Sequence, residues 1–531
     1  MLDTNPEDGS GAGGPRLEDL GGRFRGRLIL PQDEEYETAR RVFNGMIDRR
    51  PAVIARCADP QDVAAAVGSI RENGMPLAVR GGGHSVPGYG TCEGGLVADL
   101  SPMKGVSVDP EARTVRAEAG LTWGELDRET QRFGLAVTGG RVSGTGIAGL
   151  TLGGGSGWLE RMFGFTADNL LFAEVVTAAG ESVRASEEEN PDLFWALRGG
   201  GGNFGVVTAF GYRLHPVGPV ILAGMLAYPA ESAEPVLRAY RDFMAGAPDE
   251  VGGGCAFITA PPEPFVPEPV RGTRILVLVL CYVGPVERGE EELRPLREAA
   301  PPAMDLLQPM PYANLQSMVD AGNPSGMQNY WKAGFLNELP DAAIDALAGQ
   351  ARRCTSPLSQ LLLLPMGGAI ARVPEEATPL GNRGSAYNFH AISMWADPVE
   401  DPEPHIGWAR EVEAAMRPWM DERVYLNFIG DEGAERVRSA FGEAKYRRLA
   451  AIKRRYDPEN LFRINQEHPA REGLALLRRD PLEDNALEVA GLGYVEHLRV
   501  VLGLPPPLTD PELPPGIRGG RAEHLLHRLP R

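Results

Sequence analysis

Three glycine-dense stretches lie between residues 80 and 205: RGGGHSVPGYG (80–90), GGRVSGTGIAGLTLGGGSG (139–157) and RGGGGNFG (198–205). Runs of glycine remove the Cβ atoms that hold backbones apart. They tolerate left-handed backbone angles and let successive N–H groups close around an anion. Glycine accounts for 66 of the 531 residues, well above the usual ~7%, and much of the excess sits between residues 81 and 211. One such loop reads equally well as tight turns. Three in close succession read as a surface built for close backbone approach. His84 follows directly on Gly81-Gly82-Gly83 and is the only histidine among the first 200 residues. An imidazole beside glycines is ordinarily a hydrogen-bonding loop residue. Placed where a ligand approaches, its neutral ring nitrogen is also a nucleophile.

A nicotinamide-dinucleotide site needs a strand, a G-x-G-x-x-G turn, a helix and an acid ~20 residues further on. The apolar run Met75 to Val79 supplies the strand, and Asp99 falls at a suitable distance. The continuation after His84, however, is Ser-Val-Pro-Gly-Tyr-Gly, which does not propagate a helix. The Rossmann pattern therefore fits poorly.

Around the loops the sequence alternates short elements. Val53 to Arg56 reads as a strand. Asp59-Pro60 supplies an N-cap and a first-turn proline, Val63, Val67 and Ile70 form an apolar helical stripe, and Gly74 ends it. Val106 to Val108 and Thr114 to Ala117 read as a hairpin. Thr122 to Glu125 is a capping box opening a helix that Gly134 closes. Asn190-Pro191 opens a helix running to Leu197. This irregular mixture predicts an α+β fold rather than a repeating βαβ array.

The texture changes near Pro216: glycine thins and proline rises, as in PPEPFVPEPV (261–270). Arg274 to Tyr282 and Ala386 to Trp395 alternate as strands. The expected organisation is a leader over 1–27, a first domain over 28–217, a second over 218–424 with a substantial sheet, a return segment over 425–470, and an extension over 471–531 with a helix at 481–502. Tyr330, Trp331, Tyr387 and Trp395 are candidate pocket walls.

The net charge of −19 argues against nucleic acid, whose phosphates need a basic surface. The longest apolar run, Ile275 to Val283, is far short of a membrane span of ~20 residues. The N-terminal MLDTNPEDGSGAGGPR lacks the basic-then-apolar pattern of a signal peptide. Five scattered cysteines without C-x-x-C predict neither a disulfide framework nor a zinc site. The expectation is a cytoplasmic protein without a metal.

The stretches PLAVRGGGHSVPGYG, GIAGLTLGGGSGWLERMFGFTADNLLFAEVVTAAG, NPDLFWALRGGGGNFGVVTAF and YDPENLFRINQ, in that order, resemble the berberine bridge enzyme family. These are FAD-linked oxidoreductases of the vanillyl-alcohol oxidase and p-cresol methylhydroxylase superfamily. The resemblance spans roughly residues 45 to 468. It implies a two-subdomain FAD-binding domain of the p-cresol methylhydroxylase type, covered by a substrate domain with an antiparallel sheet. It implies hydride transfer from a C–OH carbon of a small sugar, alcohol or natural product to flavin N5, with O₂ or another acceptor taking the electrons. Arg80, Gly81, Gly82, Gly83, His84 and Ser85 correspond to the pyrophosphate loop, with His84 in the position that family members bond to the flavin. Val142 stands where many relatives carry a second, cysteine link, so the flavin is expected to be held through His84 only. Thr145 falls beside the flavin where oxygen access is controlled, and leaves oxidase versus dehydrogenase open.

By the same resemblance, Gly146, Gly149, Gly153, Gly155 and Gly157 line the FAD cleft, and Asn169, Val207 and Asn465 lie near its ends. Tyr425 and Asn427 of YLNF match a Tyr-x-Asn-Tyr motif whose last hydroxyl is absent here, at Phe428. His390 stands where relatives place a catalytic acid, amide or tyrosine. Either Tyr425 or His390 is the catalytic base by this reading, and a core histidine is the plainer alternative for His390. A flavin- or ligand-binding protein without catalysis, and an NAD-dependent dehydrogenase, are the competing classes.

Overall fold

The computed structural model describes residues 24–466. The expected leader through residue 23 and the helix expected at 481–502 lie outside the described residues. No helix among the described residues is long and apolar enough to cross a membrane.

The first layer is a four-stranded sheet. Its spatial order is Arg27–Ile29, Val53–Arg56, Leu96–Asp99, Leu77–Arg80; the last three are mutually parallel and the first is antiparallel. The helix Pro60–Asn73 connects two of these strands. Asp59 caps it by accepting from the N–H groups of Gln61 and Asp62, and Gly74 ends it in the left-handed region at φ 69°. Val63, Ala66, Val67 and Ile70 are buried on one face. At roughly 1.5–3 kcal/mol for each fully buried large aliphatic side chain, that stripe outweighs the helix's intrinsic propensity. The strand Leu77–Arg80 therefore delivers the RGGGHS loop from a fixed base.

A second sheet of five antiparallel strands follows, in the order Val106–Asp109, Thr114–Glu118, Val206–Arg213, Leu170–Val176, Ser182–Ser186. The expected hairpin is present in register Val108↔Val115. The Thr122 capping box opens Trp123–Thr130, which tightens into a short 3₁₀ turn before Gly134 at φ 65°. Both sheets contribute to one apolar core.

Residues 220–395 build an eight-stranded antiparallel sheet whose main order is Met304–Asp305, Val220–Pro229, Arg274–Tyr282, Val251–Thr259, Gln360–Pro365, Tyr387–Trp395, Gln328–Leu336. Strand side chains alternate between faces, and here the two faces meet different neighbours. Leu276, Leu278, Leu280, Leu363 and Phe389 share a core with helices Ala233–Met244, Asp341–Arg352 and Glu403–Met416. The opposite face carries a cross-strand row read directly from the pairing: Ala227, Val277, Ala256, Leu362, His390. That face looks toward the glycine loops.

Candidate active site

Glycine loops and the sheet face opposite the helices enclose one cavity of about 960 Å³. Its floor is made by Arg80 to Ser85, by the segment from Gly140 to Gly153, and by Gly201, Gly202 and Gly205. The requirement for glycine is steric. A Cβ on Gly82 would stand 2.3 Å from the amide nitrogen of Gly146, and one on Gly153 would stand 2.1 Å from Asn427 Oδ1. The first two loops thus touch backbone to backbone. The return segment then closes the cavity with Tyr425, Asn427, Phe428 and Asn465.

Arg80 lines the cavity, but its charge is committed elsewhere. Its guanidinium donates to Asp99 Oδ2 at 2.8 Å and to the Ala39 carbonyl at 2.7 Å, with both partners buried. Asp99 sits opposite Arg80 in the parallel pair. The acid that a nicotinamide-dinucleotide site would direct at a ribose hydroxyl is therefore already occupied, which removes the support for that reading. Arg141 is likewise neutralised, by Glu160 at 2.6 Å, and also donates to Ser156 Oγ at 2.9 Å.

His84 lies at one end of a continuous aromatic path. It stacks on Phe43 with ring centroids 3.9 Å apart. Phe43 meets Trp331 edge-on at 6.1 Å, and Trp331 meets His390 edge-on at 4.8 Å. His390 stacks on Phe428 at 4.3 Å, and Phe428 meets Tyr425 at 4.7 Å. Residues far apart in sequence thus join the three groups singled out for chemistry along one wall.

Burial holds both imidazoles neutral. It lowers the pKa of His84 to about 4, and lowers that of His390 to about 3 with added repulsion from Arg141. His390 is 2% exposed, and its Nε2 has no hydrogen-bond partner. Such an atom is costly unless something fills the site. Tyr425 is the opposite case. Its oxygen accepts from the N–H groups of Gly155 at 2.8 Å and Ser156 at 3.0 Å, and from Asn427 Nδ2 at 3.1 Å. Burial raises its pKa to about 12 against those three stabilising donors. Tyr425 is therefore a phenol at neutral pH, with its lone pairs committed and its proton left to donate.

Of the expected site residues, Arg80 to Ser85, Gly146, Gly149, Gly153, Val207, His390, Tyr425 and Asn465 line the cavity. Three do not. The Gly155 N–H supports Tyr425 from behind, and its backbone packs on Thr166. The Gly157 N–H donates to Glu160. Asn169 is buried away from the cavity, donating to the carbonyls of Phe163 and Phe165 and meeting His215 at 2.6 Å. Among the four candidate aromatic walls only Trp331 faces in. Tyr330 and Tyr387 lie on the helix-covered side and Trp395 stacks on His405. Phe43, Arg141 and Trp158 also line the cavity, and the sequence reading missed them.

Comparison with known proteins places this geometry. Residues 51–186 match the model of an FAD binding domain, and residues 424–467 match a model described as berberine and berberine like. The chain is 30% identical over 457 residues to (R)-6-hydroxynicotine oxidase of Paenarthrobacter nicotinovorans, covering 83% of this chain and 96% of that protein. The chain belongs to the berberine-type FAD-linked oxidoreductases. An FAD-linked oxidoreductase of Dictyostelium discoideum is 31% identical over 448 residues, covering 83% and 94% of the two chains. The crystal structure of 6-hydroxy-D-nicotine oxidase from Arthrobacter nicotinovorans superposes with a TM-score of 0.76 at 29% identity, covering 84% of this chain and 98% of that one. A berberine bridge enzyme-like protein of the moss Physcomitrella patens, at 24% identity and a TM-score of 0.75, shares the fold.

The residues present suit the FAD of this family. Its diphosphate needs a wall of free backbone without Cβ atoms, and the touching Gly82 and Gly146 loops provide one. The cavity, about 960 Å³ in volume, runs from the glycine loops to the return segment, and burial keeps the histidine at the loop neutral.

Proposed function

We propose that this protein oxidises a small organic alcohol, with FAD held covalently through His84 alone and O₂ as the electron acceptor. The observation that carries the reading is a shared cavity: the glycine loop bearing His84 and the buried groups His390 and Tyr425 line the same space. Bound FAD supplies the acceptor for the two electrons and hydrogen that leave the substrate carbon. The chain does the rest. His84 offers an unprotonated ring nitrogen for attachment, since burial removes the competing imidazolium.

The base assignment rests on the unpartnered ring nitrogen in the tautomer that carries its hydrogen on Nδ1. His390 Nε2 is unpartnered and neutral, so it accepts the substrate hydroxyl proton. Tyr425 orients that hydroxyl by donating from a phenol whose oxygen is fixed by Gly155, Ser156 and Asn427. The apolar wall of Trp331 and Phe428 keeps water from the reacting centre. The relative named as a 6-hydroxynicotine oxidase is consistent with oxidase chemistry in this cavity. Val142 at the cavity edge supplies no second attachment atom.

The test is an absorption spectrum of the purified protein before and after acid precipitation. Yellow colour should remain in the pellet and be lost in His84→Ala. Colour released to the supernatant would refute the covalent bond, and a colourless protein that FAD does not reconstitute would refute the function.

A further inference from the structure

The flavin accounts for the glycine wall of the cavity and leaves the sheet wall unexplained. We propose that the sheet side is a hydrocarbon chamber, and that the substrate is an uncharged, mainly apolar alcohol rather than a sugar. The reaction rests on the function proposed above, whereas the substrate class rests on the chamber walls alone.

Three observations carry it. First, the sheet row that leads to His390 is aliphatic throughout: Ala227, Val277, Ala256 and Leu362 stand side by side before the imidazole. Gly254, Ile258 and Ile275 extend the same apolar face, and all of them line the cavity. Half-buried Ala256 leaves room above its strand that a larger side chain would fill, whereas Leu364 already covers Gly254 and Ala227 packs into the neighbouring apolar cluster.

Second, the cavity offers a substrate no unpaired buried charge. Of its charged lining residues, Arg80 is paired with Asp99, Arg141 with Glu160, and Glu263 is exposed at the rim. The sheet-side amide of Gln360 is already bonded to the carbonyl of Gly322 at 2.8 Å. Arg141 Nε and Trp158 Nε1 are buried donors without partners on cavity-lining residues, but the aliphatic side chains of the sheet row offer none, so each hydroxyl of a polyol lying along that row costs roughly tenfold in affinity if left unpaired. A single hydroxyl is well served by His390 and Tyr425 at the inner end.

Third, the entrance is apolar. Six large hydrophobic side chains are exposed among the described residues. Two of them, Phe265 at 62% and Leu306 at 37% exposure, line this cavity. Phe265 belongs to the proline-rich stretch 261–270, whose first residues form the rim. Exposed apolar groups at a mouth favour the passage of apolar molecules over polyols.

The experiment uses the purified protein with whatever flavin it carries. Calorimetric titration without O₂, with any bound flavin reduced beforehand so that it accepts no hydride, measures binding of n-alkanols from butanol to decanol, and of glucose and cellobiose, without turnover. Affinity for the alkanols should rise about fourfold per methylene until the chamber is full, with a negative heat-capacity change. Ala256→Phe should move the plateau to a shorter alcohol, and Ile258→Asn should weaken decanol binding about tenfold while leaving butanol nearly unchanged. The kcat/KM series should follow the same order. Sugars binding more tightly than alkanols, or an alkanol affinity independent of chain length in the unmodified protein, would overturn the proposal whether or not the variants fold. A colourless protein that binds alkanols in this way supports the chamber and refutes the flavin function. A yellow protein that prefers sugars refutes the chamber and leaves the flavin function standing.

Discussion

Acid should destabilise this protein through His390 in particular. The side chain is 2% exposed, and burial, with repulsion from Arg141, lowers its pKa from the ordinary 6.5 to about 3. In the unfolded chain the imidazole regains the ordinary value. Between the two values the unfolded chain binds a proton that the folded chain does not. Stability therefore rises with pH across that window, and is lost as the pH falls from about 6.5 toward about 3. Integrating from about pH 7 to about pH 4.5 gives a loss of about 2.5 kcal/mol from this one residue, at about 1.4 kcal/mol per unit. His84 and His215, each lowered to about 4 by burial, and the carboxylates titrate over the same range. The comparison is therefore with His390→Gln, which keeps a polar side chain and removes the titration. Urea denaturation of both proteins at the two pH values isolates the term. The unmodified protein should lose about 2.5 kcal/mol more than the variant on acidification. Equal losses would show that His390 is protonated or solvated in the fold, and would remove the argument for it as a neutral base.

Other perturbations follow from the same geometry. Asp99→Asn leaves the Arg80 guanidinium buried beside a neutral amide, and should cost about 3–5 kcal/mol in thermal or denaturant unfolding. Gly82→Ala puts a Cβ 2.3 Å from the Gly146 nitrogen. It should separate the two loops, at about 1–3 kcal/mol, and lower the ratio of flavin to protein in the purified enzyme. Tyr425→Phe strands the Gly155 and Ser156 N–H groups in the interior. It should cost about 1–3 kcal/mol of stability and about a hundredfold in kcat through lost orientation of the substrate hydroxyl, with bound flavin retained.

Local chemistry was legible wherever neighbours in sequence are neighbours in space. Asp59, Gly74, the Thr122 capping box and the strand Arg274–Tyr282 all act within a few residues of themselves, and the sequence placed them as the structure does. The three expected residues that do not line the cavity share a cause. Asn169, Gly155 and Gly157 sit in motifs that suit the family, but motif membership does not say which way a side chain or an N–H points. Asn169 is consumed by Phe163, Phe165 and His215. Gly155 reaches the site only through the oxygen of Tyr425, 270 residues away. Phe43 and Arg141 carry no motif. A phenylalanine before the first glycine loop and an arginine inside the second become site residues only when the loops meet.

The aromatic walls show the same limit in its simplest form. Tyr330 and Trp331 are adjacent on one strand, so exactly one face can receive each, and pleat alternation sends them to opposite sides. Composition marks both as candidates, and only register against Ile392 and Ser393 decides between them. Along the next strand the parity of His390 and Ile392 puts them in the cavity while Tyr387 and Phe389 go under the helices. A one-residue slip of Tyr387–Trp395 would exchange the two sets, burying the imidazole among leucines and turning Phe389 toward the glycine loops. The base proposed here is therefore a property of strand register. That register is held by the phenyl and aliphatic groups packed beneath the helices, far from any substrate.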